Sequence, residues 1–222
     1  MTERLLEVIE AGRVPYEEAL TWQRDLARAR IERRLAHDVL LLLEHPPVIT
    51  LGRAAHGEHV LHPAGVPVLE VERGGDVTYH GPGQLVGYPI IDLTGHRPDL
   101  HWYLRTLEDA LIRALAELGL PGERRPAYTG VWVRGRKIAS IGVHVKQWVT
   151  WHGFALNVTT DLAAFERIVP CGIAGVEMTS IEREAGSGKR EASLREESAA
   201  AVVRGFAEAF DLSVAEGARR YS

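Results

Sequence analysis

The 222-residue sequence predicts an α+β domain built on a mixed, mostly antiparallel sheet flanked by helices. Strand-like runs crowd the middle of the chain, while patterns of helical period stand near its start, at its centre and at its end. No internal repeat and no Pro/Ser-rich linker divides it. Residues 1–222 therefore read as a single domain, with the helices on one side of the sheet.

The first helix follows Pro15, with Ala19, Trp22, Leu26 and Ala29 at helical spacing over residues 16–31. Strands follow at DVLLLLEH (38–45), PVITLG (47–52), VPVLEVE (66–72) and, beyond a glycine-rich turn, GQLVGYPIIDL (83–93). The clearest helix opens at Pro98–Asp99 and stops at Gly119 and Pro121. It sets Leu100, Tyr103, Leu104, Leu107, Leu111, Leu115 and Leu118 on one face. TGVWVRGRKIASIGVHV (129–145) reads as two strands about a tight turn at Arg134–Gly135–Arg136, and WVTWHGFALNV (148–158) as a third. Ser193 and Glu196 suggest a capping box for a last helix carrying Leu194, Val202, Val203, Phe206 and Phe210. REAGSGKREAS (183–193), ahead of it, reads as a polar surface loop.

Bulk properties exclude several functions. A net charge of −4 argues against nonspecific nucleic-acid binding as the main task. A single cysteine, Cys171, excludes an intramolecular disulfide and a cysteine-based zinc knuckle. The first twenty residues are studded with acids and lack the apolar run of a signal peptide. The longest uncharged apolar run, VLLLL (39–43), is too short to span a bilayer. A soluble, cytoplasmic protein is expected, in a compartment where a lone thiol stays reduced.

The chemistry lies in four segments. In FERIVPCGIAG, Cys171 sits between Pro170, which fixes its own φ, and Gly172, which allows unusual dihedrals or close approach. The alternative is a small buried hydrophobe beside a turn. In RGGDVTYHGPGQLVGYP (73–89), five glycines crowd Arg73, Thr78, His80 and Gln84, which suits backbone N–H groups presented to a ligand. A twisted hairpin with glycine turns explains the same residues. Neither a Walker loop nor G-x-G-x-x-G is present. Lys137 starts a strand in GRKIASIGVHV, where most lysines are solvated, and Ser140 to Gly142 suggests a narrow backbone passage. Gly153 and Ala155 flank Phe154 in WHGFALN, and glycine in a strand marks close approach. His56, His59 and His62 recur by three, but Gly57, Pro63 and Gly65 break any helix there and no H-E-x-x-H occurs. No metal is expected.

Taken in order, RGGDVTYHGPGQ, GRKIASIG, WHGFALNV and VPCGI resemble the lipoyl(octanoyl) transferase family over about a hundred residues of the middle and late chain. The resemblance implies the fold of the biotin and lipoate protein ligase catalytic domains. It implies transfer of an octanoyl or lipoyl group from acyl carrier protein to a lysine of lipoyl domains, the first step of endogenous protein lipoylation. The acceptors would be 2-oxoacid dehydrogenase E2 subunits and the glycine cleavage H protein. In that family the cysteine forms an acyl-thioester and the lysine favours its thiolate; these roles fall on Cys171 and Lys137. Substrate binding falls on Arg73, Gly74, Gly75, Asp76, Val77, Thr78, Tyr79 and His80, on Ser140, Ile141 and Gly142, and on Gly153, Phe154 and Ala155. No cofactor, nucleic acid or membrane is implied, and a monomer is expected. Ala139 stands where some members carry cysteine, and Phe154 where leucine is common. Arg33, Arg34, Arg124 and Arg125 are candidates for meeting an acidic partner.

Three rivals remain at this stage. An ATP-dependent lipoate or biotin ligase would share the fold, but the biotin ligases' Gly-Arg-Gly-Arg-x-Gly loop is only partly echoed by VRGRKIA. A noncatalytic acyl- or carrier-protein-binding module would explain the glycines but not a Cys171–Lys137 pair. A cysteine hydrolase would need a histidine base, for which His80 or His144 would serve.

Overall fold

The computed structural model describes residues 4–186, 191–215 and 219–220. The chain opens with a strand, β1 (Leu5–Arg13), then helix α1 (Tyr16–Ile31), β2 (Asp38–Glu44), β3 (Val48–Leu51), β4 (Val68–Glu70), β5 (Val77–His80) and β6 (Gln84–Ile90). Helix α2 (Leu100–Glu117) is followed by β7 (Gly122–Glu123), β8 (Gly130–Val133), β9 (Arg136–Lys146) and β10 (Val149–Asn157). Helices α3 (Ile181–Ala185) and α4 (Glu191–Phe210) and the short strands β11 (Ser213–Val214) and β12 (Arg219–Arg220) complete it.

The main sheet runs β11-β1-β2-β6-β10-β9-β8-β7, with β12 also pairing β1. It is parallel between β1 and its neighbours and antiparallel from β2 onward. The strands around 47–52 and 66–72 do not join it: β4-β3-β5 form a separate three-stranded sheet. The two sheets are what make room for a site between them.

Every residue of β2, β6 and β10 is buried, so these strands are covered on both faces. That explains why DVLLLLE is a continuous apolar run rather than an alternating one. Leu40 and Leu42 face a core shared with α2 and α4, whereas Val39, Leu41 and Leu43 face a core shared with α1. Helices therefore flank both faces, not one.

Helix α2 starts where its sequence signals place it. Asp99 caps it by accepting from the Trp102 N–H at 3.0 Å, and Gly119 (φ 78°) ends it in the left-handed region. Its inner face is Tyr103, Leu107, Leu111 and Leu115, while Leu100 in the first turn is exposed. A Cβ on Gly205 of α4 would overlap the Ala110 carbonyl, so only glycine permits this approach of α4 to α2. In α1 the buried face is Tyr16, Ala19, Leu20, Gln23 and Ala27. Trp22, Leu26 and Ala29 are half-buried, so the stripe read from sequence is rotated from the packed one. Ser193 is no N-cap: it lies inside α4 and its hydroxyl donates to Glu197. Residues 187–190 of the expected loop lie outside the described residues, and its first part belongs to α3.

The β8–β9 turn places Arg134 (φ 48°) and Gly135 (φ 80°) in the left-handed region, which matches the right-handed twist of a two-residue hairpin. No described helix is long and apolar enough to cross a membrane.

Candidate active site

The site begins with an irregularity. Opposite Lys137 the β8–β9 pairing shifts register between Val131 and Trp132. Lys137 stays paired with Trp132, and its backbone also bonds the late chain, its N–H donating to Glu177 O and its carbonyl accepting from Thr179, both at 2.8 Å. That pairing brings the cysteine segment against β9. Lys137 is 1% exposed, not a solvated edge lysine. Gly130 (φ 140°) leaves room for it, since a Cβ there would press on the lysine Cε at 2.9 Å.

The Lys137 Nζ lies 3.1 Å from Cys171 Sγ and 3.4 Å from Thr129 O, with the Trp132 ring centroid 5.0 Å away. Among the described residues no carboxylate lies within ion-pair distance of Lys137. The Cys171 sulfur is therefore the side-chain atom that Nζ bonds. The Ser140 hydroxyl is 3.7 Å from the same sulfur.

Cys171 adopts φ 57°, ψ 21°, and Gly172 follows at φ 66°. A left-handed non-glycine residue costs about 1–2 kcal/mol, so the surroundings must hold it. Gly172 N–H donates to Val169 O at 3.0 Å and Ile173 N–H to Pro170 O at 3.1 Å, while Val169 N–H is tied to His59 O at 2.8 Å. His59 in turn meets Asp76 at 2.7 Å, and Asp76 also accepts from the Val77 N–H at 2.7 Å. A Cβ on Gly172 would overlap the Asp76 carboxylate. This is why glycine follows the cysteine: its φ and its missing side chain both let the turn lie on the His59–Asp76 pair.

Two expectations follow from this packing. Gly172→Ala should destabilise the protein by about 1–3 kcal/mol, through positive φ and the clash, read as a lowered denaturation midpoint. His59→Ala should cost about 1–2 kcal/mol and speed amide exchange at Gly172 and Ile173, whereas His59→Asn, which keeps a donor near Nδ1, should lose less.

The glycine-rich segment lies along the middle of β9. Gly74 N–H donates to Val143 O at 2.8 Å, and a Cβ on Gly142 would meet Gly74 O at 2.9 Å. Arg73, 7% exposed, donates to Thr50 O at 2.7 Å and to Thr50 Oγ1 at 2.9 Å. Between this segment, β9 and β10 lies a cavity of ≈ 210 Å³. Arg73, Gly75, Asp76, Val77, Thr78, His80, Ser140, Ile141, Gly142, Gly153, Phe154 and Ala155 line it together with Lys137 and Cys171. Gly74 and Tyr79 do not: Gly74 is spent on β9, and Tyr79 packs at 5.6 Å on Phe165 in the core beneath the small sheet.

Sequence reasoning missed Tyr16, Tyr88, Tyr128, Thr129, Ile173 and His152, which also line the cavity. His152 stands beside the glycine of WHGFALN with φ 55°, and its N–H donates to Gln23 of α1 at 3.0 Å. The tyrosines carried no local signal, since Tyr16 reads only as the start of a helix.

Burial keeps much of this wall uncharged. It lowers His80 well below its usual value, with the neighbouring His45 adding to the effect, and it lowers His152. It raises Tyr16 to about 12 and Tyr88 well above 10. His80 Nδ1 is occupied by Gln84 at 2.8 Å, and Gln84 is held by Asn157 at 3.0 Å. Among the described residues, Arg73 Nε and Thr78 Oγ1 are buried with no hydrogen-bond partner, and the equally buried His152 Nε2 has only Glu72 Oε2, 3.8 Å away. Such groups are costly unless a ligand satisfies them. Among the described residues no histidine hydrogen-bonds Cys171: His80 Nδ1 is taken up by Gln84, and His144 bonds Glu72 O at 3.1 Å and lies off the cavity. The hydrolase arrangement is therefore absent from this geometry.

Of the basic candidates, Arg34 pairs with Glu32, Arg124 pairs with Glu108 and Asp109, and Arg125 donates to Gly135 O at 2.8 Å.

Comparison with known proteins now bears on this site. The profile of the lipoyl protein ligase A/B catalytic domain matches residues 15–210. The chain belongs to this family. An octanoyltransferase of Gloeobacter violaceus is 63% identical over 75% of this chain and 75% of its own length. One from a Nostoc species is 49% identical over 92% of each. Among solved structures, lipoate-protein ligase A bound with ATP superposes with TM-score 0.72 at 17% identity, over 100% of this chain and 90% of that one. Biotin protein ligase from Aquifex aeolicus gives 0.53 at 11%, over 93% and 73%. At those identities the structures establish the shared fold, and the lipoyl protein ligase A/B family is the one the sequence matches.

Proposed function

We propose that the protein is an octanoyltransferase that acts in protein lipoylation through an acyl-thioester on Cys171. The observation that carries the mechanism is the 3.1 Å approach of a buried, carboxylate-free Lys137 to the sole thiol. The activity itself is supported by relatives named octanoyltransferase at 49–63% identity.

The donor is a thioester, and acyl carrier protein is the carrier we assign to it. The Cys171 thiolate attacks the carbonyl carbon, the carrier leaves as a thiol with a proton from Lys137, and the acyl-enzyme is close in energy to the donor because one thioester replaces another. Lys137 balances the thiolate before attack. Arg73 and Thr78 line the cavity together with Cys171, and their unpartnered Nε and Oγ1 are the donors this reading assigns to the oxyanion. The acyl tail occupies the cavity beside Phe154 and Ala155, each buried methylene contributing ~0.8 kcal/mol. In the second half-reaction a lysine amine of a lipoyl domain attacks the acyl-Cys171 carbonyl. Its excess proton passes to Lys137, or by way of Lys137 to water, and the Cys171 thiolate leaves. E2 subunits of 2-oxoacid dehydrogenases and the glycine cleavage H protein are the acceptors this reading assigns, with the cytoplasm as the compartment and a monomer as the working unit.

Two-substrate kinetics test this. Parallel double-reciprocal lines are expected for octanoyl-carrier protein against lipoyl domain, unchanged by chelator and with no nucleotide added. A strict requirement for Mg-ATP would move the protein to the ligase class.

A further inference from the structure

Cys171 is the sole cysteine of the chain. A thiolate oxidised by a peroxide becomes a sulfenic acid, which is ordinarily rescued by a second thiol as a disulfide; further oxidation to sulfinic acid is irreversible by thiols. This chain offers no second thiol. Among the described residues, two side-chain heteroatoms hydrogen-bond the sulfur: Lys137 Nζ at 3.1 Å and Ser140 Oγ at 3.7 Å. The nitrogen is nearer and is the better nucleophile toward divalent sulfur. It is also held there, since the lysine is 1% exposed, its backbone is tied on both sides, and Thr129 O and the Trp132 ring flank its head. Cys171 is partly exposed and lines a cavity of ≈ 210 Å³, so a small peroxide reaches it.

We propose that Cys171 and Lys137 form a reversible sulfur–nitrogen bond, a sulfenamide, when the protein meets a peroxide. The inference rests on the geometry of the pair and does not depend on the acyl-transfer reading. In the first step the thiolate gives an electron pair to the peroxide. The O–O bond breaks, an S–O bond forms, and hydroxide leaves: Cys–S⁻ plus H₂O₂ gives Cys–SOH plus OH⁻. In the second step an S–N bond forms and the S–O bond breaks: Cys–SOH plus Lys–NH₃⁺ gives Cys–S–NH–Lys, water and one proton. Sulfur does not change oxidation state in this step, so no further oxidant is needed. Reversal needs a thiol reductant: one thiol attacks the sulfur and releases the amine, and a second releases Cys171 as a thiol with a disulfide as by-product. The bond would disable both members of the pair and shield the sulfur from over-oxidation until a thiol restores it.

The test uses the full-length protein treated with hydrogen peroxide, then analysed by intact mass and peptide mapping without reduction. The expected main product is lighter than the starting protein by two hydrogens and does not react with iodoacetamide. Its map should contain the Cys171 and Lys137 peptides joined, and dithiothreitol should return both the mass and the thiol. Lys137→Arg should instead gain two or three oxygens, beyond rescue by dithiothreitol. Wild type that gains those oxygens as fast as Lys137→Arg, with no joined peptide, overturns the proposal. So does a two-hydrogen loss that persists in Lys137→Arg, which would assign the nitrogen to a backbone amide, or a doubled mass from an intermolecular disulfide. Should the arginine variant fail to fold, the wild-type map decides alone.

Discussion

Cys171→Ala is expected to retain the fold and to lose transferase activity by at least ~10⁴-fold, the scale on which removing a nucleophile acts. Cys171→Gly makes the sharper test, because the native residue sits at φ 57°, where glycine is unstrained. It should be equally inactive yet about 1 kcal/mol more stable than wild type, read from chemical denaturation. Stability gained as activity is lost is the signature of a residue held in strain for function. A glycine variant less stable than wild type would show that the turn is shaped by packing of the thiol itself.

Lys137 carries the second large effect. Removing it takes a cation from within 3.1 Å of the sulfur and the nearest proton acceptor from the incoming amine, so Lys137→Met should slow both half-reactions by about 10²-fold or more. Its stability should be unchanged or raised, since an apolar side chain replaces a buried charge that lacks a carboxylate. Lys137→Arg separates the two roles. Arginine keeps the charge but does not accept a proton, so acylation of Cys171 should survive where the guanidinium fits, while transfer to the lipoyl domain slows. Single-turnover transfer from pre-acylated Lys137→Arg at the wild-type rate would reduce Lys137 to a stabiliser of the thiolate.

What the sequence revealed follows from how local each signal was. Helix α2 was legible because Asp99 and Gly119 bracket it with capping chemistry that acts within a few residues. The β8–β9 turn was legible because Gly135 needs positive φ. The four chemical segments were found as separate motifs. Their convergence on one cavity came from tertiary pairing, above all from the Lys137 backbone to Glu177 and Thr179. Strand β1 was not foreseen, since LLEVIEAGR is a strand by virtue of its parallel partners β2 and β11, which no local pattern announces. The buried face of α1 was misjudged because Tyr16 and Gln23 are polar-tipped residues that serve the cavity and the His152 backbone of β10, where an apolar count gives them no weight. The His59–Asp76 clamp joins residues far apart in sequence, and His59 looked only like one of three histidines at poor metal spacing.

The central claim is a covalent acyl-Cys171 on the path to product, and intact mass measures it directly. Protein mixed with octanoyl-carrier protein, without ATP, should gain one octanoyl group that hydroxylamine removes and that lipoyl domain takes up when added as a chase. Cys171→Ala should gain none. Octanoyl transfer to lipoyl domain that proceeds through Cys171→Ala, or an adduct on wild type that the chase leaves in place, would contradict the account.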